Sequence, residues 1–486
     1  MTVPHGDPDA IRARLAQLRD GDLPTHGGRT LAYVYDSGIA EADALGREAL
    51  AAYGATNGLD PTAFPSLLAM ERELVAFAKP LFHAPAEAVG TVTSGGTESV
   101  LLAVQTARDA RPDVERPVMV VPSSIHAAFH KAEHYFGVER VTVPVDPVTK
   151  RADANAMGAA ITAHADRVVL VAASAPSYAH GVLDPIPEIA EHALRHGVRL
   201  HVDACIGGWV LPWLERDGLV RHQWDFAVDG VTSISADLHK YAYTPKGVSL
   251  LLHRTPELRR PQFFASADWP GYTMLNATLQ STKSGGPLAA AWAVITYFGD
   301  AGYLELTRTA HAGTRALVEG IDRTEHLTLA SEPDSTLVAV ATDEACDVFT
   351  ISDSMLARGW FVQPQMAYAD LPATLHLTVS AATAPLVDEF LRALQESVDE
   401  AVAGGAIEVD PQLRAAAVAI DPATLDDAAF DGLLTLAGLA GSGDDGSSTV
   451  TLPDQMAPVN ALLDAAPPAL REAMLVAFLD RLTRTD

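Results

Sequence analysis

Five short apolar runs, at 117–121, 139–145, 167–173, 198–202 and 231–235, recur through the middle of the chain. Helical stretches at 124–136, 153–165 and 187–196 fall between them. Each run is too short for a buried helix and too continuously apolar for a strand with one wet face. The alternation therefore predicts an α/β fold with a largely parallel sheet covered on both faces. Ligands of such sheets bind beyond the carboxyl ends of the strands. Polar residues at those ends are the first candidates for function.

The last run, Val231 to Ile234, breaks into a turn carrying His239 and Lys240, and a further apolar strand follows at 248–253. A lysine at a strand end, beside a histidine and two tyrosines, is expected to be buried. Burial lowers a lysine's pKa and frees its amine to attack a carbonyl, here the aldehyde of pyridoxal phosphate. The competing reading is a surface lysine in a loop. Asp203 closes the run before it, and a carboxylate at that depth needs a cationic or N–H partner. A protonated pyridine nitrogen would serve and would improve the ring as an electron sink; capping of the next turn is the plainer reading.

Upstream, Ser94-Gly95-Gly96-Thr97-Glu98-Ser99 joins a strand to a helix. Glycines let a backbone turn tightly, and a helix N-terminus offers N–H groups to an anion, with Thr97 and Ser99 as extra donors. The pattern is neither GxGxxG nor a Walker loop, so it fits one phosphate better than a dinucleotide; an ordinary capped turn is the alternative. His126, His130 and His134 lie four residues apart, a spacing that can bind zinc with Glu133 nearby. No third ligand set stands at diagnostic spacing, so the expectation is no metal and a packed helix. His126, at its start, is placed to lie against a flat aromatic ring.

Composition limits the partners. With 34 Lys+Arg against 62 Asp+Glu the net charge is −28, which repels nucleic acid and anionic lipid, so an anionic substrate needs local cations of its own. Cys205 and Cys346, the two cysteines, make no disulfide framework or zinc motif. No run approaches the roughly 18 apolar residues of a membrane helix, and the first residues lack a signal-peptide pattern. A cytoplasmic protein with no transmembrane segment is expected. At 486 residues more than one domain is expected. The divisions read are an N-terminal segment 1–60, a large domain 61–304, a small α+β domain 305–403 entered by a long helix from about 305, and a tail 404–486. Within the tail, 440–449 is too poor in apolar residues to fold alone and reads as a linker.

The glycine turn, the histidine, the aspartate and the lysine, in this order on one α/β frame, resemble the fold-type I pyridoxal-phosphate enzymes of the group II decarboxylase branch. The blocks Thr93–Ser99, Ile125–Lys131, His201–Gly208, Ser233–Gly247 and Ala267–Tyr272, and the ending Phe478–Asp486, are similar to those of sphingosine-1-phosphate lyases. The similarity runs from about residue 30 to the end, and only the second lysine and the tryptophan block are particular to the lyases. The resemblance implies a seven-stranded, mostly parallel sheet and a homodimer with active sites at the interface. It implies that Lys240 bonds the cofactor's aldehyde, that His239, Gly95, Gly96 and Thr97 hold its phosphate, and that Asp203 pairs with its pyridine nitrogen. His126 would stack on the ring, and Ser174 and Ser177 would approach its other edge. Gly285 and Gly286 match a segment reaching the partner subunit's phosphate. Lys246 matches a second lysine suited to proton transfer, with Tyr243 as another candidate base. Tyr35, Asn57 and Lys283 are candidate substrate contacts.

The implied reaction is a retro-aldol cleavage of a phosphorylated long-chain base into a long-chain aldehyde and phosphoethanolamine. Rival readings are a decarboxylase of glutamate, tyrosine or aspartate, with aminotransfer as a variant, and a non-catalytic homologue, against which the intact Lys240 and Asp203 argue. The family's N-terminal membrane helix in eukaryotes has no counterpart here, as in soluble bacterial forms. Its Asn-Pro-Leu-His-Pro-Asp stands here as Asn57-Gly-Leu-Asp-Pro61, and its Gly-Ser-Arg-Pro-Gly-Gly as Ser281-Thr-Lys-Ser-Gly-Gly286. The lysine at 283 lacks an arginine's planar, bidentate grip on phosphate, which leaves substrate identity less constrained than cofactor identity.

Overall fold

The computed structural model describes residues 5–220, 222–411, 414–415, 420–436 and 455–484. Seven strands form the main sheet: β1 (Val89–Thr93), β2 (Val118–Pro122), β3 (Glu139–Val143), β4 (Val168–Ser174), β5 (Arg199–Asp203), β6 (Val231–Asp237) and β7 (Ser249–His253). Their order is β1-β7-β6-β5-β4-β2-β3. Only β7 runs against its neighbours; β2, β3, β4, β5 and β6 pair in parallel. Every residue of β2, β4 and β7 is buried, as the uninterrupted apolar runs require of a sheet covered on both faces.

The two faces are visible in the alternation of β2. Val118 and Val120 join the core that holds Ile186, Ile189 and Ala193 of the helix Ile186–His196. Met119 and Val121 face the other way, against Val104 of the helix Gly96–Asp109 and Phe129 of the helix Ala128–Phe136. A hairpin, β8 (Phe264–Ser266) and β9 (Met274–Asn276), exposes Phe264, Trp269, Tyr272 and Leu275.

A second core lies under a four-stranded antiparallel sheet of order β10-β11-β13-β12. Its strands are β10 (Leu327–Leu329), β11 (Leu337–Thr342), β12 (Gln363–Gln365) and β13 (Thr374–Thr378). The helix expected from about 305 begins twenty residues earlier: it runs Gly285–Ile321, interrupted at Gly299 (φ 52°, ψ −169°). Gly285-Gly286-Pro287 and Gly299 read as loop signals, yet Pro287 sits in the first turn, where its missing N–H costs no hydrogen bond. Left-handed φ at 299 is open to glycine at little cost. In the tail, the helices Asp427–Leu436, Ala457–Ala465 and Pro468–Leu482 are described, and Phe430, Ala466, Leu470 and Met474 form a small core among them. The linker read at 440–449 lies outside the described residues.

Candidate active site

Beyond the carboxyl ends of the parallel strands, Lys240 is the centre of a buried constellation. The turn after β6 brings its Nζ to 3.0 Å from Oδ2 of Asp237, the residue that ends that strand. Burial works against the ammonium, but Asp237, Tyr35, Cys205 and Asp203 together raise Lys240 above the ordinary lysine value. This corrects the sequence expectation. Burial alone would have lowered it, and a buried carboxylate three residues upstream reverses the sign.

Asp203, ending β5, is 8 % exposed; its Oδ1 accepts from the Cys205 backbone N–H (3.1 Å) and weakly from the Ser235 hydroxyl (3.4 Å). Burial, with Asp203 and Asp237 beside it, holds the Cys205 thiol protonated. His126 precedes its helix; its Nδ1 accepts from the Ala128 N–H (3.1 Å), and its ring stands edge-on to Tyr178 at 6.2 Å. Burial lowers it below the usual histidine range, so it presents a neutral, flat ring. His130 instead lies 2.8 Å from the Arg140 guanidinium, which also pairs with Glu133. That cation engages His130 Nε2.

The glycine turn abuts the lysine. A methyl group on Gly96 would lie 2.7 and 2.8 Å from the Asp237 oxygens and 2.8 Å from Cys205 Sγ, and one on Gly95 would lie 3.3 Å from His239 Cε1. No side chain caps the following helix, which leaves its N-terminal N–H groups for a ligand. Thr97 is exposed, but the Ser99 hydroxyl is spent on Thr93 (2.7 Å) and Ser249 (3.1 Å), so Ser99 is withdrawn as a donor. Val248 N–H donates to His239 Nδ1 (3.3 Å), which directs the ring's Nε2 toward Asp237 (3.5 Å); burial lowers His239 to about 4.

On the opposite edge, Ser174 ends β4 and Ser177 follows in the loop after it, both buried. Asp184 accepts from the Ser174 N–H (2.8 Å), and the Ser177 hydroxyl has no partner among the described residues. Tyr35 is near enough to raise Lys240, packs edge-on to Tyr241 (5.0 Å), and is itself pushed up to about 12 by burial. The Lys246 ammonium lies 5.0 Å from the Tyr35 ring centroid and donates to the carbonyls of Tyr33 (2.8 Å) and His239 (3.3 Å). Lys246 is an exposed residue overall, but desolvation around its ammonium and the charge of Lys240 lower it to about 8. The Tyr243 hydroxyl accepts from the Ala381 N–H (3.3 Å) and burial raises it above the ordinary phenol. It keeps its proton, which argues against the base role considered for it.

Other predicted residues gather elsewhere. Lys283 pairs with Glu71 (2.9 Å) and donates to the Val92 carbonyl (2.9 Å). Asn57 accepts from the Leu59 N–H (3.1 Å), and Gly58 N–H donates to the Lys283 carbonyl (2.8 Å). Gly58 and Lys283 line a cavity of about 870 Å³ with Phe64, Glu71, Arg259 and Leu275, and Lys240 is not part of its lining. Gly285 and Gly286 are buried against Thr56, Leu67 and Leu50 of the same chain. Sequence reasoning missed Asp237 and His376. Asp237 carried a signal, a carboxylate closing an apolar strand. His376 faces inward from β13, stacked on Tyr178 at 4.1 Å, and only the tertiary fold brings it there.

The residues present fit pyridoxal phosphate. Gly95 and Gly96 open an uncapped helix start, a neutral imidazole face and a strand-end carboxylate flank a lysine, and an unpartnered buried hydroxyl lies on the far edge.

Comparison with known proteins shows the family. The pyridoxal-dependent decarboxylase conserved domain matches residues 31–342, and a pyridoxal-dependent enzyme C-terminal HTH domain matches 411–481. The sphingosine-1-phosphate lyase of Arabidopsis thaliana is 36% identical over 383 residues, 76% of this chain and 69% of that protein. Sphingosine-1-phosphate lyase 1 of Rattus norvegicus is 34% identical over 395 residues, 80% of this chain and 68% of that one. The solved sphingosine-1-phosphate lyase of Burkholderia pseudomallei superposes with a TM-score of 0.77 at 33% identity, covering 83% of this chain and 94% of its own. Lactobacillus brevis glutamate decarboxylase shares the fold alone (TM-score 0.72, 19% identity, 84% and 96% covered).

Proposed function

This chain belongs to the sphingosine-1-phosphate lyases of the pyridoxal-dependent decarboxylase family, and on that premise we propose that it cleaves a phosphorylated long-chain base. The products are a long-chain aldehyde and phosphoethanolamine. Pyridoxal phosphate, when bound, supplies the electron sink for the broken Cα–Cβ bond.

The chain's own residues would divide the remaining work. Lys240 would hold the aldehyde end of the cofactor, and Asp203 would pair with the pyridine nitrogen. The backbone of Gly95, Gly96 and Thr97, with His239, would receive the phosphate; His126 would lie against the ring, and Ser174 and Ser177 would approach its other edge. Lys246 Nζ takes the proton of the substrate's β-hydroxyl. The observation that carries this role is the placement of its ammonium, 5.0 Å from the Tyr35 ring centroid and bonded to the His239 carbonyl in the Lys240 turn; desolvation there favours the free amine.

Among the described residues, no helix is long and apolar enough to cross a membrane. The free thiols of Cys205 and Cys346 support a reducing, cytoplasmic setting. The exposed apolar side chains of the β8–β9 hairpin support a homodimer, which sedimentation would test. The reaction is tested by giving cofactor-loaded protein sphingosine-1-phosphate or its saturated analogue, with Lys240→Ala alongside. Long-chain aldehyde from the wild type alone is expected. No aldehyde with the bound-cofactor absorbance intact would refute the lyase reading and return amino-acid decarboxylation to first place.

A further inference from the structure

Asp237 is a buried charge with no task in the reaction as derived so far. It is 3 % exposed, at the end of β6. Oδ2 accepts from Lys240 Nζ at 3.0 Å and faces His239 Nε2 at 3.5 Å. Oδ1 has no partner of good hydrogen-bond geometry among the described residues; the Ser249 hydroxyl is the one neutral donor near enough to favour the charge. A half-bonded carboxylate in an apolar site is costly to maintain, and here it touches the nitrogen on which the chemistry begins.

We propose that Asp237 takes the proton that the Lys240 ammonium must lose before its lone pair can attack the cofactor's aldehyde carbon, and returns it when the lysine is released. This rests on the pyridoxal-phosphate reading. In the step, one N–H bond of Nζ breaks and one O–H bond forms at Oδ2. Two charged groups become two neutral ones, and no electron leaves the pair.

The surroundings leave Asp237 as the acceptor. From the N-terminal segment, Tyr35 faces the pair and holds its own proton, as does Cys205 beyond β5. Asp203 is near, but its Oδ1 is engaged by Cys205 and Ser235. His239 presents Nε2 to Asp237, while Lys246, His126 and His376 contribute charge or ring dipoles at longer range. Gly96 seals the pair from the turn side, since a Cβ there would strike both carboxylate oxygens. Burial disfavours the two charges relative to the neutral pair, which eases the transfer. At rest the proton sits on Lys240, which is raised while Asp237 is lowered by Lys240 and His239 against the opposing effect of burial.

Transfer inside the pair leaves the proton count unchanged, so its extent does not depend on pH. The test is the rate at which cofactor-free protein acquires the bound-cofactor absorbance between pH 5.5 and 8.5. Wild type is compared with Asp237→Asn so that the cofactor's own titration cancels in the ratio. In the variant the proton goes to solvent, and its rate should climb by up to about tenfold per pH unit below the lysine's pKa. The wild-type-to-variant ratio should fall accordingly. Asp237→Glu, which keeps an acid, should stay close to the wild-type profile. A free alkylamine gives the check that needs no variant: a wild-type rate that tracks the amine's pH dependence overturns the assignment. A constant ratio overturns it as well, with the cofactor reading intact. Wild type that never acquires the absorbance removes both.

Discussion

Gly96→Ala adds a single methyl group to the turn that faces Lys240. Built on the existing backbone, its carbon lies 2.7 and 2.8 Å from the Asp237 oxygens and 2.8 Å from Cys205 Sγ. None of the three is the end of a long, flexible side chain. Asp237 is tied to Lys240 at 3.0 Å, and Cys205 to Ser235 at 3.3 Å. Relief therefore requires either a backbone shift or a retreat of the carboxylate from the lysine. Overpacking of this kind costs about 1–3 kcal/mol, and weakening a buried charge pair adds to it. Urea unfolding of cofactor-free protein should show a lower midpoint with an unchanged slope. Cofactor affinity should fall about tenfold or more, since 1.4 kcal/mol is a factor of ten. Gly432→Ala is the control: it lies in a helix with nothing within 4 Å of the added carbon, and should be neutral or mildly stabilising. If Gly96→Ala matches that control in both midpoint and affinity, the turn has slack and the reasoning fails.

Three other outcomes follow from the geometry. Lys246→Ala should lower turnover by about 100- to 10,000-fold with the bound-cofactor absorbance kept; the wild-type rate should rise as pH passes upward through about 8, and a variant keeping both rate and profile would remove the proposed base. Burial raises Asp184 from the ordinary carboxyl value of 3.8 to about 6 against the bonds it accepts from Ser174 and Ala152. The folded chain thus binds more protons than the unfolded one between those values, so Asp184 should subtract up to about 3 kcal/mol of stability as pH rises from 4 to above 6, a slope that denaturation of Asp184→Asn should lack. Lys283→Ala should cost about 1–3 kcal/mol by leaving Glu71 Oε2 without its cation, Oε1 keeping the Val92 N–H, with little change in substrate KM; a large KM increase without destabilisation would restore Lys283 to the substrate site.

Periodicity made the main sheet legible because burial on both faces imposes uninterrupted apolar runs, and those runs are local. The same logic placed Asp203 and Lys240, since a residue that ends a parallel strand stands where ligands bind whatever the details of packing. The glycine turn was legible for the same reason. The extended helix Gly285–Ile321 was not, because Pro287 and Gly299 are helix breakers only where position or φ makes them so. The linker reading at 440–449 has no described residues to meet it.

By itself, the sequence determined the architecture, the strand-end residues and the family resemblance. Only the tertiary structure decided the charge states. Lys240 is raised rather than lowered because Asp237 and its neighbours outweigh burial, and Lys246 is lowered by desolvation of its ammonium first and by the charge of Lys240 second. Tyr243 turns to Ala381, 138 residues away, and Lys283 to Glu71, 212 residues away. A residue's type follows from its codon, but its proton affinity follows from the sum of burial and nearby charge, and most of that charge arrives from distant parts of the chain.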